Sequence, residues 1–301
     1  MNFLQRLFIR EKEAHIETPP EQPVDATKPL TPPLAAPRPL SPGLHIGITS
    51  DIGQNPERDR NEDSLCAVNS TLFHEDIVEP FGIFVVADGM GGHQQGEVAS
   101  VLATRTVTDQ ILREIYLPYL TQDSQSASNR PINEVLTSAV ETANTVVHEN
   151  TPDAGTTLTV AVVLGNNAYI AHVGDSRAYI YHQGKLKQIT QDHSYVARLV
   201  ELGQATPEEA LTHRYRNVLY RALGQAGNLE VETQLQSLPP GSYLLLCSDG
   251  LWNMISDDEI ARIIATSSSP NEACQQLVDQ ANANGGDDNI TVIVIGIGEN
   301  P

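Results

Sequence analysis

The sequence predicts an α+β protein in which two packed β-sheets are covered on the outside by helices. Three observations point there. The elements are grouped rather than alternating: strands first, then two long helical stretches, four short strands, further helices and a last strand. Gly and Asn punctuate the short strands, which makes antiparallel hairpins the natural connections. Apolar runs such as Phe84-Val85-Val86-Ala87 are rich in β-branched and aromatic residues, as buried strands are.

Taken in order, residues 1–42 stand apart. Nine of the 19 prolines fall between Pro19 and Pro42, a density that neither a helix nor a central strand tolerates. This reads as a disordered, polyproline-like tail and linker. At its start Phe3, Leu4, Leu7 and Phe8 could share one face of a helix too short to stand alone. A domain over 43–299 follows. "LHIGITSDIG", "SLCAVN" and "GIFVVAD" are strand-like. Residues 96–117 carry Val98, Leu102, Ile111 and Ile115 at helical spacing, and 131–149 read as a second helix. "TLTVAVVLG", "NAYIAHVG", "RAYIYHQG" and "KLKQIT" form a meander with turns at "NNAY" and "HQGK". Residues 192–224 are more polar and helical, with Thr206 and Pro207 as a helix start. "SYLLLCSDG" is another buried strand, two helices lie near 256–266 and 270–283, and "NITVIVIGIG" closes the domain. No internal repeat is visible.

The chain has 301 residues and a formal charge of −20. The first 42 residues are balanced, so the domain carries all of that excess. This argues against a nucleic-acid partner, which wants Lys and Arg. No apolar run approaches the ~18 residues of a membrane span, and no secretion signal is readable. Three scattered cysteines, Cys66, Cys247 and Cys274, form no zinc pattern and suggest buried thiols in a reducing cytoplasm.

The most informative feature is a set of acids at strand ends. Asp88 and Asp249 each stop an apolar run and precede Gly, and Asp175 ends a third. Asp287 and Asp288 precede the last strand, and Glu62 and Asp63 precede "SLCAVN". A single Asp-Gly is an ordinary turn signal. Five sites gathered at one end of a sandwich would repel, at roughly 4 kcal/mol for two like charges 4 Å apart at an effective dielectric of ~20. Divalent cations resolve this, and carboxylate and carbonyl oxygens suit Mg²⁺ or Mn²⁺. A pair of such ions is a standard device for attack on phosphorus.

The ordered stretches "DIGQNPERDRNEDS", "VVADGMGGHQQGEVAS", "GTTLTVAVV", "AHVGDSRAYI", "CSDGLW" and "GDDNITVIV" resemble the metal-dependent serine/threonine phosphatases of the protein phosphatase 2C family, in their bacterial form. The resemblance spans residues 45 to 297. It implies a central β-sandwich of two antiparallel sheets flanked by α-helices, with two Mg²⁺ or Mn²⁺ ions in a cleft between the sheets and a third, weaker one. Residue by residue it implies that Asp88 bridges both ions, that the Gly89 carbonyl binds one, and that Asp249 and Asp288 bind the other. Glu62 and Asp63 match the acidic pair that binds a metal directly or through water, Asp175 the position that helps hold the third ion, and Arg58 the phosphate-binding arginine. Arg60 competes for that last role. Asn217 sits near a position that can contribute to the third site. Met90 stands where eukaryotic members often carry a candidate general-acid His, and His93 does not inherit the role, so the general acid is unassigned.

The implied activity is hydrolysis of phosphoserine and phosphothreonine by direct attack of a metal-bridging hydroxide. Phosphorylated proteins are the implied partners, a cognate Ser/Thr kinase among them, for a monomeric cytoplasmic enzyme with residues 192–224 as a flap. The alternative is a catalytically inactive phosphoprotein-binding adaptor of the same fold. His172 reads as a hydrogen-bonded core residue, His193 as a cap or surface residue, Thr156 and Thr157 as strand packing, and Trp252 as an anchor for the helix after Asp249. Ser176 resembles a nucleophile in type only, without a G-x-S-x-G elbow, and Cys247 should be buried and inert.

Overall fold

Ile83–Ala87 is an unbroken apolar run because its strand is covered on both faces. Ile83, Val85 and Ala87 pack under helices, while Phe84 and Val86 face a second sheet. The computed structural model describes residues 41–74, 77–91, 95–121 and 130–298. The expected tail, except for its last two residues, lies outside them, as does His93.

The chain opens with β1 (Leu44–Asp51), β2 (Asp63–His74) and β3 (Ile77–Gly91). Helix α1 (Gln95–Ile111) runs through a π-helical turn (Leu112–Tyr116) into α2 (Leu117–Thr121), and α3 (Ile132–Asn150) follows. Then come β4 (Ala154–Thr156), β5 (Leu158–Leu164), β6 (Asn167–Val173), β7 (Arg177–His182) and β8 (Lys185–Gln188). The short helices α4 (Tyr195–Glu201) and α5 (Pro207–Leu211) precede β9 (Glu232–Ser237) and β10 (Tyr243–Cys247). Helices α6 (Asp249–Trp252), α7 (Asp257–Thr266) and α8 (Pro270–Ala283) lead to β11 (Ile290–Ile297).

One sheet has the order β1-β11-β10-β7-β8, the other β2-β3-β5-β6-β9 with β4 beside β3. Their strand pairs are antiparallel. Three apolar layers hold the stack. One lies between α1, α3 and the second sheet, one between the sheets, and one between the first sheet and α7 and α8. This is the predicted α+β sandwich. Among the described residues no helix is long and apolar enough to cross a membrane.

Several elements differ from expectation for readable reasons. The buried face of α1 is Ala99, Ala103, Val107 and Ile111, whereas Val98 is 45% exposed. Small residues let the helix approach the sheet closely, and a search for large apolar residues misplaces that stripe. The four middle strands are not one meander. β5–β6 is a hairpin of the second sheet and β7–β8 a hairpin of the first, with the chain crossing between sheets at 174–176. The β7–β8 turn falls where expected, with Gln183 and Gly184 at φ 50° and 79°, while the β5–β6 turn is Gly165–Asn166, just before "NNAY" closes. β9 was not foreseen because an edge strand reading "ETQLQS" shows little apolar alternation, its Leu235 being exposed. In 192–224 only α4 and α5 are helical. Thr206 does cap α5, in a reciprocal box with Glu209 and with Pro207 behind it.

Helix α8 crosses β1 at Gly47, where a Cβ would lie 2.1 Å from the Pro270 carbonyl oxygen. Backbone cannot yield as a side-chain tip can. Gly47→Ala should therefore cost about 1–3 kcal/mol by overpacking, read as a lower midpoint in urea with activity retained in the folded fraction.

Candidate active site

Strand parity delivers the acids. Phe84 and Val86 face the space between the sheets, and Asp88, two residues on, continues that face past the end of the core. Leu65 and Ala67 give the same parity to Asp63 at the start of β2. Asp63 and Asp88 are direct cross-strand partners. Like charges directly opposite on a sheet are destabilising unless something lies between them. From the other sheet, Asp249 opens α6 just after β10, and Asp288 stands two residues before β11. Asp175 comes from the segment that crosses between the sheets.

These side chains surround one cavity of about 340 Å³, lined by Arg58, Glu62, Asp88, Gly89, Met90, Gly91, Thr157, Asp175, Asn217, Leu219, Asp249 and Asp288. Asp63 lies behind it. Its Oδ2 accepts from Ser248 Oγ at 2.7 Å. Its Oδ1, like Oδ1 of Asp249, is buried and has no hydrogen-bond partner among the described residues. Such orphaned carboxylate oxygens are costly.

The electrostatics follow. Burial, reinforced by the charges of Asp63, Asp249, Asp175 and Asp288, pushes Asp88 well above the usual carboxylate range. Burial and the neighbours Asp175, Asp288 and Asp63 do the same to Asp249. Asp63 is raised to about 6, by burial against the pull of its hydroxyl partners. Asp175 rises to about 7 through burial and Asp192, with Arg177 opposing. Glu62 and Asp288 are also raised by burial, Arg58 opposing in both. Without counter-charge these groups hold protons that ordinary aspartates release.

Arg58 ion-pairs with Asp288 and reaches the cavity. Arg60 instead turns to Glu97 at 3.6 Å and Asp59 at 4.0 Å. The N-terminus of α1 packs tightly on the end of β3: a Cβ on Gly89 would meet the Gly96 carbonyl at 2.2 Å, and one on Gly96 would meet Glu62 Oε2 at 2.8 Å. The Gly89 amide donates to the Glu62 carbonyl at 3.1 Å, so both residues are held by one junction. Among the described residues the cavity lining includes Met90 and no histidine.

Sequence reasoning missed the groups that hold the acids. The Asp88 amide donates to Thr157 Oγ1 at 2.9 Å, and Thr156 Oγ1 donates to the Asp88 carbonyl at 2.9 Å. Thr157 also bonds Ser176 Oγ at 2.6 Å. Thus both threonines grip the backbone of Asp88 and do more than pack. Asn289 Oδ1 accepts from the Glu62 amide at 2.7 Å, and its Nδ2 donates to the Ile52 and Arg60 carbonyls. Ser100 Oγ donates to the Glu62 carbonyl at 2.6 Å. A signal was present: Ser176, Ser248 and Asn289 are each the chain neighbour of a strand-end Asp. Trp252 anchors as expected, its Nε1 donating to the Asp175 carbonyl at 3.0 Å while Arg177 stacks 3.6 Å above its ring. His172 is a core residue between Thr159 Oγ1 and the Gln191 carbonyl. His193 is neither a cap, since Ser194 caps α4, nor a surface residue. It is buried, with 3% of its surface exposed.

Comparison with known proteins places this fold and site in a family. The protein phosphatase 2C family model matches residues 73–283. The chain belongs to the protein phosphatase 2C family. It is 36% identical over 252 residues to the serine/threonine phosphatase stp of Listeria welshimeri, covering 84% of this chain and 95% of that one. The structure of the Streptococcus agalactiae serine/threonine phosphatase superposes with a TM-score of 0.70 at 32% identity, covering 84% of this chain and 99% of that chain. The catalytic domain of the phosphatase PstP, solved in complex with two manganese ions, gives 0.67 at 33% identity, covering 85% and 99%.

Proposed function

We infer that this chain is a divalent-metal-dependent protein serine/threonine phosphatase. One observation carries the reading: acids from both sheets meet at one cavity, with Asp63 set directly opposite Asp88. The donor set is all oxygen, which suits hard ions. The buried, partnerless Oδ1 atoms of Asp63 and Asp249 are free to serve as ligands or to accept from coordinated water. On this reading Asp88, the Gly89 carbonyl, Asp249 and Asp288 would hold two Mg²⁺ or Mn²⁺ ions. Glu62 and Asp63 complete the acidic rim, and Asp175 with Asn217 serves a third, weaker ion. When bound, the ions ionise water and withdraw charge from phosphate oxygens.

The chain's own groups do the rest. Arg58 stands at the cavity to bind the phosphate, and its bond to Asp288 keeps the guanidinium aimed there. Thr156 and Thr157 fix the Asp88 backbone, and Asn289 and Ser100 fix that of Glu62. Two side chains of nucleophilic type are disabled. Ser176 Oγ is buried and bonded to Thr157, and burial pushes the Cys247 thiol far up. As the family resemblance implies, hydrolysis would be direct, without a phosphoenzyme, on phosphoserine and phosphothreonine in proteins. An inactive adaptor would not need all of these acids, and none is missing.

The test is hydrolysis of p-nitrophenyl phosphate and a phosphothreonine peptide with Mn²⁺, with Mg²⁺ and with EDTA. Release of phosphate from both substrates only with metal is expected. Folded protein inert under every condition would overturn the reading in favour of the adaptor.

A further inference from the structure

His193 sits at a four-way junction. Its amide donates to the Gly174 carbonyl at 2.7 Å, and the Gly174 amide donates back to His193 Nδ1 at 3.0 Å. Its own carbonyl accepts from the Tyr220 amide at 3.0 Å. Just beyond, Tyr195 donates to the Val218 carbonyl and Ser194 bridges Leu219. The entry and exit of the 192–224 segment are therefore zipped together at this residue.

Gly174 immediately precedes Asp175. It has φ +112°, and a Cβ there would lie 2.6 Å from the Thr157 Cβ. Pressed against Thr157 on one side and held twice by His193 on the other, it has little freedom left. It is the last residue before the carboxylate that enters the cavity.

The trio His172, His193 and Glu232 has potential ligand atoms within 4.8 Å of one another. Hydrogen-bond bookkeeping makes it a brace rather than an ion site. His172 faces a carbonyl with one nitrogen and a hydroxyl with the other. His193 Nδ1 accepts the Gly174 N–H, and its Nε2 is hydrogen-bonded to Arg221 Nη1 at 3.1 Å with Glu232 Oε2 at 3.6 Å beside it. Each nitrogen of the two rings already has a hydrogen-bond partner.

We propose that His193 is a positioning residue that fixes Asp175 through Gly174 and ties the third-ion site to the base of the 192–224 segment. This rests on the reading of Asp175 as an ion ligand. Groups that orient a ligand without touching the metal are worth about 10–100-fold in metal affinity.

The experiment is calorimetric titration of the full chain with Mn²⁺, which needs no turnover. His193→Leu removes the acceptor for Gly174 and should weaken the weakest Mn²⁺ site by about 10–100-fold, leaving the tighter sites unchanged. His193→Gln, whose amide reaches toward the Nε2 position, should behave alike and serves if the leucine variant does not fold. His193→Asn, whose Oδ1 falls near Nδ1, should restore most of the affinity. In an Asp175→Ala background, His193→Gln should add nothing, because the two act through one group. Wild-type Mn²⁺ binding by folded His193→Gln, or losses that multiply in the double variant, would overturn the positioning role. If Asp175→Ala alone leaves every Mn²⁺ site intact, the ligand reading of Asp175 fails, and the proposal falls with it for that separate reason.

Discussion

Asp249→Ala is expected to lower turnover of p-nitrophenyl phosphate by about 10³-fold, since an ion's action on phosphate is worth several kcal/mol and each tenfold is about 1.36 kcal/mol. The fold should survive. Asp249 lies at the first turn of α6, half-buried, with one oxygen that has no hydrogen-bond partner among the described residues. In the metal-free protein its other oxygen accepts one exposed hydrogen bond, from Asn253 Nδ2 at 3.2 Å, while burial and the charges of Asp175, Asp288 and Asp63 disfavour its ionised form. The variant should therefore melt in EDTA no lower than the wild type. Steady-state kinetics in saturating Mn²⁺ and thermal unfolding in EDTA check the two halves. Wild-type turnover would remove Asp249 from the ion site. Normal inactivation with a large drop in melting temperature would mean that the loss was one of structure.

Chelation should destabilise the wild-type protein, and more at pH 8 than at pH 5. Asp88 and Asp249 are raised well above the usual range, Asp63 to about 6 and Asp175 to about 7. Between the unfolded value near 3.8 and these raised values the folded chain binds more protons than the unfolded one. Stability of the metal-free protein therefore falls as pH rises from about 4 through 7. Metal reverses this, since ions held by the folded state alone add about 2.7 kcal/mol per site at a concentration one hundred times Kd. At roughly 2–4 °C per kcal/mol for a domain of this size, filling two such sites with Mn²⁺ at pH 8 should raise the melting temperature by about 10–20 °C. At pH 5 protons compete for the same oxygens and the gain should shrink. A metal effect that grows toward pH 5 would contradict the proton accounting.

Much of the site was legible because each acid interrupts an apolar strand, and such interruptions stand out in one dimension. Asp88 after Val85-Val86-Ala87 and Asp249 after Leu244-Leu245-Leu246 are examples. The supporting polar groups were not, because Ser248 and Asn289 look like ordinary hydrophilic residues until their partners, Asp63 and Glu62, arrive from about two hundred residues away. His193 misleads for the same reason: polar neighbours suggest a surface, yet Gly174 and Tyr220 enclose it. The sheet change between β6 and β7 leaves no local mark beyond Gly174. β9 was invisible because an edge strand shows solvent a polar side chain where a central one would not.

The pairing of the first and last strands has a consequence for how the enzyme comes into being. β11 lies between β1 and β10, with Leu44 opposite Ile297. Asp288 and Asn289 are delivered by the segment just before it. A ribosome working from the N-terminus produces β1 long before its neighbour exists, so the strand must wait through almost the whole domain. Contacts so distant in sequence make for slow closure and an exposed edge in the interim. Until then the nascent chain holds every acid of the cavity except Asp288, without the strand that anchors that last one. Dephosphorylation is therefore expected only after the closing strand has taken its place.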